Sequence, residues 1–412
     1  MAATETGVWD LQEVRDKQLA GEWSYDAPVD PGGIYGWGNN SYGKLGQNDG
    51  NANRSSPAQI GAFNYSNFYV GDSSIAVSSD GYLWAWGRNT QGQLGHNNKT
   101  QYSSPRTIGS GTDWSAAASI GDVAAAVKTD GTLWAWGRNT FGALGDNSTS
   151  AGRSSPVQVP GTWSSEIGSI VTSGTSDVSF TAVKTNGTIW SWGNGYDGQL
   201  GVGQPGGISY SSPTQLGTDT TWSDSNGHLG SPGKTGRGAI KTDGTLWMWG
   251  NAEHGTLGLN DRTNRSSPTQ VPGTYTWISK GLNQHDQAGV TFVIKDDSTL
   301  WAMGSAYYGM LGNNYGSASM SQGSPSPAAK YLSSPVQCCG TSTGWAQVSH
   351  GSLGVLATKT DGTLWAWGYG GNGQLGQNEP GNIDLSSPAQ IGTGTKWKLV
   401  SSNNYSSGAI SN

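Results

Sequence analysis

A tryptophan–glycine motif recurs along this chain and dictates most of what it can fold into. Trp84-Ala85-Trp86-Gly87 is followed by Gly92-Gln93-Leu94-Gly95 and then by Ser103-Ser104-Pro105. The same series runs through Trp134 to Gly137, Gly142 to Gly145 and Ser154-Ser155-Pro156, and it recurs from Trp190, Trp247 and Trp365. Two copies are degraded, Tyr35-Gly36-Trp37-Gly38 and Trp301-Ala302-Met303-Gly304. The closing glycines at 38, 87, 137, 193, 250, 304 and 368 count seven copies, 49 to 64 residues apart. A period of this length belongs to solenoids, propellers or arrays.

Each unit parses into four short strands. Trp114 to Ile120 reads as strand A, Asp122 to Lys128 as B and Thr132 to Gly137 as C, with Pro105 to Ile108 an example of D. Asp130-Gly131 between B and C predicts a two-residue type I′ hairpin, and Asp80-Gly81, Asn186-Gly187, Asp243-Gly244 and Asp361-Gly362 repeat it. The proline of each Ser-Ser-Pro suits an outer strand, where a missing N–H costs least. Strand A is rich in small residues (Ser115 to Ser119), which fits strands crowding around a common axis. The first unit begins at strand C, and Trp397 to Asn412 resemble A and B. The C-terminal strands A and B therefore complete the sheet opened by C and D at the N-terminus, leaving no open edge. The expected fold is all-β, a closed seven-bladed β-propeller over residues 33–412, with residues 1–32 a separate N-terminal attachment segment.

The pattern WxWGxNxxGQLG followed by a Ser-Pro segment resembles the RCC1-type repeat, named from the regulator of chromosome condensation, and the resemblance runs from Gly33 to Asn412. It implies a protein-binding propeller. The regulator itself is a nucleotide-exchange factor for a small GTPase and binds chromatin, and its repeats carry Gly-x-x-His where A turns into B. Here that turn reads Gly121-Asp122-Val123-Ala124 and Gly351-Ser352-Leu353-Gly354, without the histidine. A second branch of the family comprises secreted bacterial propellers that inhibit β-lactamase through one face.

Eighteen of the 20 tryptophans occupy repeat positions. Trp37, Trp84, Trp86, Trp134, Trp136, Trp190, Trp192, Trp247, Trp249, Trp301, Trp365 and Trp367 lie in strand C, while Trp114, Trp163, Trp222, Trp277, Trp345 and Trp397 are expected to start strand A. An aromatic platform for sugars or bases is one use for them; packing between blades is the expected one. Burying about 200 Å² of each at ~25 cal/mol/Å² stabilises by an upper bound of roughly 5 kcal/mol. The same residues left exposed would form a patch beyond what folded proteins tolerate.

Chemistry is sparse. Charged residues are 12% of the chain and the formal net charge is −6, against the basic face that nucleic acid requires. No apolar run is long enough to cross a bilayer, and Met1 to Gly7 lack a secretory start. The five histidines, His96, His228, His254, His285 and His350, fall at different repeat positions without metal spacing and are expected in loops or at the surface. Asn48-Asp49-Gly50-Asn51 lacks the terminal acid of a calcium loop, and Asp49, Asp146 and Asp197 lie in Gly-Asn loops. Cys338 and Cys339 are adjacent, so a vicinal disulfide and two reduced thiols are both open, the latter expected. No catalytic set, metal or cofactor is expected.

Binding should reside where loops vary on a constant scaffold. The B–C turns are uniform and the C–D loops are not. In the sixth unit the loop from Asn313 to Leu332 is the longest, in the blade that also carries Met303 and Ser298 in place of the second tryptophan and the turn glycine. Tyr307, Tyr308, Tyr315, Met320 and Tyr331 are the candidate contact residues on this face. In the N-terminal segment Asp10 and Glu13 suit a capping box, and Trp9, Leu11, Val14, Leu19 and Trp23 would anchor a short helix. The stretch GVWDLQEV…LAGEW also resembles N-terminal segments of marine bacteriophage virion proteins. The expected role is thus a non-enzymatic virion fibre, decoration or adhesion protein, assembled in the host cytoplasm. It would be held to other virion proteins by its N-terminus and present its C–D loops to a host surface glycan or protein. A regulator of the GTPase-exchange type, or an inhibitor of a secreted enzyme, is the alternative.

Overall fold

The computed structural model describes residues 32–149, 151–173, 178–204, 206–231, 235–281, 289–314, 331–378, 384–403 and 405–411. Strands dominate, and within each blade they hydrogen-bond antiparallel in the chain order A-B-C-D. Blade 3 is representative, with strands Trp114–Ile120, Val123–Lys128, Leu133–Gly137 and Arg153–Val159. Blade 1 is assembled from both ends of the chain: Trp397–Asn403 and Ser406–Ser411 supply A and B, Ile34–Gly38 and Arg54–Ile60 supply C and D. Its seam is an antiparallel ladder from Ile34↔Ile410 to Gly38↔Ser406. The 14-residue strand Arg265–Ile278 serves as D of blade 5 and continues as A of blade 6, fusing those sheets.

Local chemistry shapes the hairpins. Between B and C the N–H of Gly131 bonds the carbonyl of Lys128, and Lys128 N–H bonds the carbonyl of Thr132. Only the glycine has positive φ (80°), so the turn is a three-residue loop with a glycine bulge rather than the type I′ turn expected from Asp-Gly. Asp130 caps it by accepting from the N–H and hydroxyl of Thr132, and these two bonds hold its carboxyl below the usual range. In blade 6, Ser298 takes the left-handed position at φ 61°.

The core lies between blades. One buried cluster joins Ala118, Val123 and Ala135 of blade 3 to Ile170, Phe180 and Trp192 of blade 4. In every strand C but that of blade 6, the tryptophan before the closing glycine is fully buried and donates its Nε1–H to a backbone carbonyl of the preceding blade's Gly-x-Leu-Gly loop: Trp86 to Lys44, Trp136 to Gln93, Trp192 to Ala143, Trp249 to Gln199, Trp367 to Met310, and Trp37 back to Gln374, at 2.7–3.0 Å. A further set of bonds runs the other way. The N–H of Asn48, Asn97, Asn147, Gly203, Asn260, Asn314 and Asn378, all at positive φ, meets a Ser-Ser-Pro serine carbonyl of the following blade, and Asn378 to Ser55 links the last blade to the first.

Several expectations need correction. Only Trp114, Trp345 and Trp397 begin a strand A. Trp163 and Trp222 precede an inserted turn before Ile170–Ser173 and Leu229–Gly230, and Trp277 lies within the long strand, where Tyr275 pairs with Lys295 instead. His350 is not at the surface: it ends a strand A, is fully buried against Gly281, and burial pushes its pKa down to about 4.

Candidate functional site

The antiparallel order places the A–B and C–D connections on one side of the ring and the B–C and D–A connections on the other. The latter side is repetitive. The first tryptophan of strand C is half-buried and donates to the turn hydroxyl, as Trp134 to Thr132 at 3.1 Å and Trp365 to Thr363 at 2.8 Å. A lysine from strand B stacks on it: Lys184 on Trp190 at 3.7 Å, Lys241 on Trp247 at 4.1 Å, Lys295 on Trp301 at 3.6 Å. These indoles are already occupied by the chain's own cations. Beside one such stack a cleft of about 540 Å³ opens between blades 6 and 7, lined by Trp345, Trp365, Lys359, Val336 and Cys339. Cys338 and Cys339 are free thiols with Sγ atoms 3.4 Å apart, and burial pushes the Cys338 thiol up.

The C–D side is individual. The residue preceding the first glycine of Gly-x-Leu-Gly is Tyr42, Gln91, Phe141, Asp197, His254, Tyr308 and Asn372 in blades 1 to 7. Three of these, Tyr42, Phe141 and Tyr308, are bulky aromatics at φ 67°, 59° and 52°. Around them tyrosine meets arginine: Arg88 lies over Tyr42 at 5.6 Å, Arg106 over Tyr102 at 4.1 Å and Arg262 over Tyr331 at 5.6 Å. Phe141 meets Tyr196, itself 59% exposed, at 5.7 Å.

Of the loop residues singled out from sequence, Tyr307 and Tyr308 adjoin each other at 6.3 Å and Tyr331 lies against His254 at 5.0 Å. Tyr315 and Met320 lie outside the described residues, as do Trp9, Leu11, Val14, Leu19 and Trp23 of the attachment segment. Sequence reasoning missed the continuation of the tyrosine patch. Tyr308 meets Tyr369 of blade 7 at 5.2 Å, and Tyr369 meets Tyr405 of blade 1 at 6.3 Å, both edge-on. Asp384, which accepts from the N–H of Gly370, adjoins Tyr369. Burial raises its carboxyl, and burial together with the charges of Asp384, Tyr405 and Tyr308 raises the Tyr369 phenol. The signal was present in the units laid over one another, because the pair before Ser-Ser-Pro is Asn53-Arg54 and Asn264-Arg265 in blades 1 and 5 but Asp384-Leu385 in blade 7.

At the A–B turn of blade 3, where the family resemblance implies a nearby histidine, Asp122 is bridged by Arg88 and Arg138, each at 3.5 Å. Among the described residues no three His, Cys, Asp or Glu side chains gather as a metal site, and no helix is long and apolar enough to cross a membrane.

Comparison with known proteins places this geometry. Residues 33–409 match the family described as RCC1-like domain. The chain is 26% identical over 223 residues to the ultraviolet-B receptor UVR8 of Arabidopsis thaliana, covering 53% of this chain and 45% of the receptor. It is 26% identical over 157 residues to the regulator of chromosome condensation of Xenopus laevis, covering 37% and 32%. The matched stretches thus span less than half of these curated relatives. Prp20p of Saccharomyces cerevisiae, a protein described by its binding to Gsp1p and histones, superposes with a TM-score of 0.72 at 19% identity over 96% of this chain and 94% of that one, a likeness of fold. These curated relatives, a receptor and a regulator, overturn the expectation of a bacteriophage virion protein. A twenty-residue likeness outside the described residues does not weigh against a family match over nearly the whole repeat region.

Proposed function

The chain belongs to the RCC1-like domain family, and from that premise we propose that it is a non-enzymatic regulatory propeller that grips a partner protein with the C–D side of its ring. One observation carries this reading. Tyr42, Phe141 and Tyr308 occupy left-handed backbone positions that glycine or asparagine would fill without strain. Such a conformation costs a bulky residue about 1–3 kcal/mol, and it is retained at binding and switch sites. Folding does not require that strain: Gln91 and Asn372 stand at the same loop position in blades 2 and 7 without a left-handed backbone. Tyrosine and arginine are also the residues that dominate protein–protein hot spots. That Prp20p, with the same fold, binds proteins agrees with this use. Exchange of guanine nucleotide is not part of the proposal: the blade 3 turn reads Gly121-Asp122-Val123-Ala124 without a histidine, and its Asp122 is held by Arg88 and Arg138.

A photo-cross-linking residue at 42, 141 or 308, compared with one at 130, 243 or 361 on the opposite side, tests the reading in cells that express the chain. A discrete adduct with one protein from the first set alone is expected. Adducts of equal yield from both sets, or none, would remove it.

A further inference from the structure

The seven units are near-copies, so a charge that one of them carries without structural need points to something outside the chain. Asp384 is such a charge. Its Oδ1 accepts from the N–H of Gly370 at 3.1 Å. The equivalent bonds in blades 1 and 5 are made by neutral amides, Asn53 Oδ1 from Asn40 N–H at 3.0 Å and Asn264 Oδ1 from Ala252 N–H at 2.9 Å. The loop therefore needs an oxygen acceptor and no charge. In those blades the next residue is an arginine that pairs within its own loop, Arg54 with Asp49 and Arg265 with Asp261. In blade 7 that position is Leu385, and Asp384 has no cation within ion-pair distance among the described residues. A half-buried carboxylate is expensive to keep without a cation.

Its surroundings specify which cation. Tyr369, next to the Gly370 that Asp384 binds, joins Tyr308 and Tyr405 in a half-buried aromatic surface that spans three blades. Elsewhere on this side of the ring, tyrosines carry an arginine over the ring, as Tyr42, Tyr102 and Tyr331 do, whereas the lysines of the chain stack on indoles on the opposite side. A guanidinium can stack on a phenol face while donating in plane to a carboxylate, which an ammonium does less well. Resting on the protein-binding reading above, we infer that Asp384 with Tyr308, Tyr369 and Tyr405 is a receptor for an exposed arginine side chain of the partner protein.

The test uses a fluorescein-labelled peptide, Gly-Ser-Arg-Gly-Arg-Gly-Ser, and its citrulline counterpart, titrated with the full chain by fluorescence anisotropy at low salt. The arginine peptide should bind about ten-fold more tightly, the scale of one charge-assisted hydrogen bond. Asp384→Asn, which installs the residue that blades 1 and 5 already use, should melt at the same temperature and erase that preference. Equal affinity for the two peptides, binding of neither, or a preference that survives Asp384→Asn would overturn the inference. Loss of this preference with the cross-links from 42 or 308 intact would remove the arginine receptor alone; loss of the cross-links would remove the protein-binding reading itself.

Discussion

Blade 3 and blade 6 solve one packing problem in two ways. In blade 3 the indole of Trp136 fills the space beneath Gly95, and its Nε1–H satisfies the carbonyl of Gln93 at 2.9 Å. In blade 6 Met303 lies against Gly258 but has no donor, and the matching carbonyl of Thr256 accepts instead from the Thr291 hydroxyl at 2.7 Å. The boundary between blades thus has two separable requirements, a large apolar body and one hydrogen bond to a buried carbonyl. Tryptophan meets both; methionine and threonine divide them.

The sharpest way to break this comparison is Trp136→Ala, which removes body and bond together. Chemical denaturation should show a loss of about 3–5 kcal/mol. Thr291→Val removes only the bond and keeps the shape, so a loss of about 1–3 kcal/mol is expected. Adding Met303→Trp to Thr291→Val sharpens the point: if the two requirements are interchangeable between residues, the indole should restore stability to within about 1 kcal/mol of the wild type.

Blade 6 also meets His350 of blade 7, whose ring lies 6.1 Å from Phe292 and whose pKa burial lowers to about 4 from an ordinary 6.5. Between those values the unfolded chain binds a proton that the folded chain refuses. Stability should therefore fall as pH drops from about 6.5 to 4 and be unaffected by this group above 6.5. Melting temperatures of His350→Gln across that window should show a shallower slope. The smallest effect belongs to the loops. Tyr42→Asn relieves a left-handed strain but gives up the stack with Arg88, so a net gain of at most ~1 kcal/mol is expected, read as an unchanged or slightly raised melting temperature.

How far these features were legible depends on how local they are. Sheet order, the outer Ser-Ser-Pro strands and the pairing of the chain's two ends follow from the order of motifs and needed no coordinates. The hairpin is not legible in detail because Asp-Gly fits two loop lengths, and only the bond from Lys128 N–H to the Thr132 carbonyl fixes which one forms. Trp163 and Trp222 are followed by inserted turns that no repeat motif signals, and in blade 6 Tyr275 takes the place expected for Trp277. Tyr307, Tyr308 and Tyr331 were singled out by loop length, but Tyr369, Tyr405 and Asp384 belong to other units and become their neighbours only when the ring closes.

What the sequence alone determined is whatever repeats: four strands per unit, glycine at each sharp turn, tryptophan where sheets meet. Those choices are enforced within one unit, so each unit records them. What only the tertiary structure decided are the relations between units, since no single unit encodes its neighbour. The bond from Trp37 to Gln374, the burial of His350 and the contact of Tyr308 with Tyr369 all arise between segments far apart in the chain. Their energies come from desolvation and from carbonyls and rings brought together by closure.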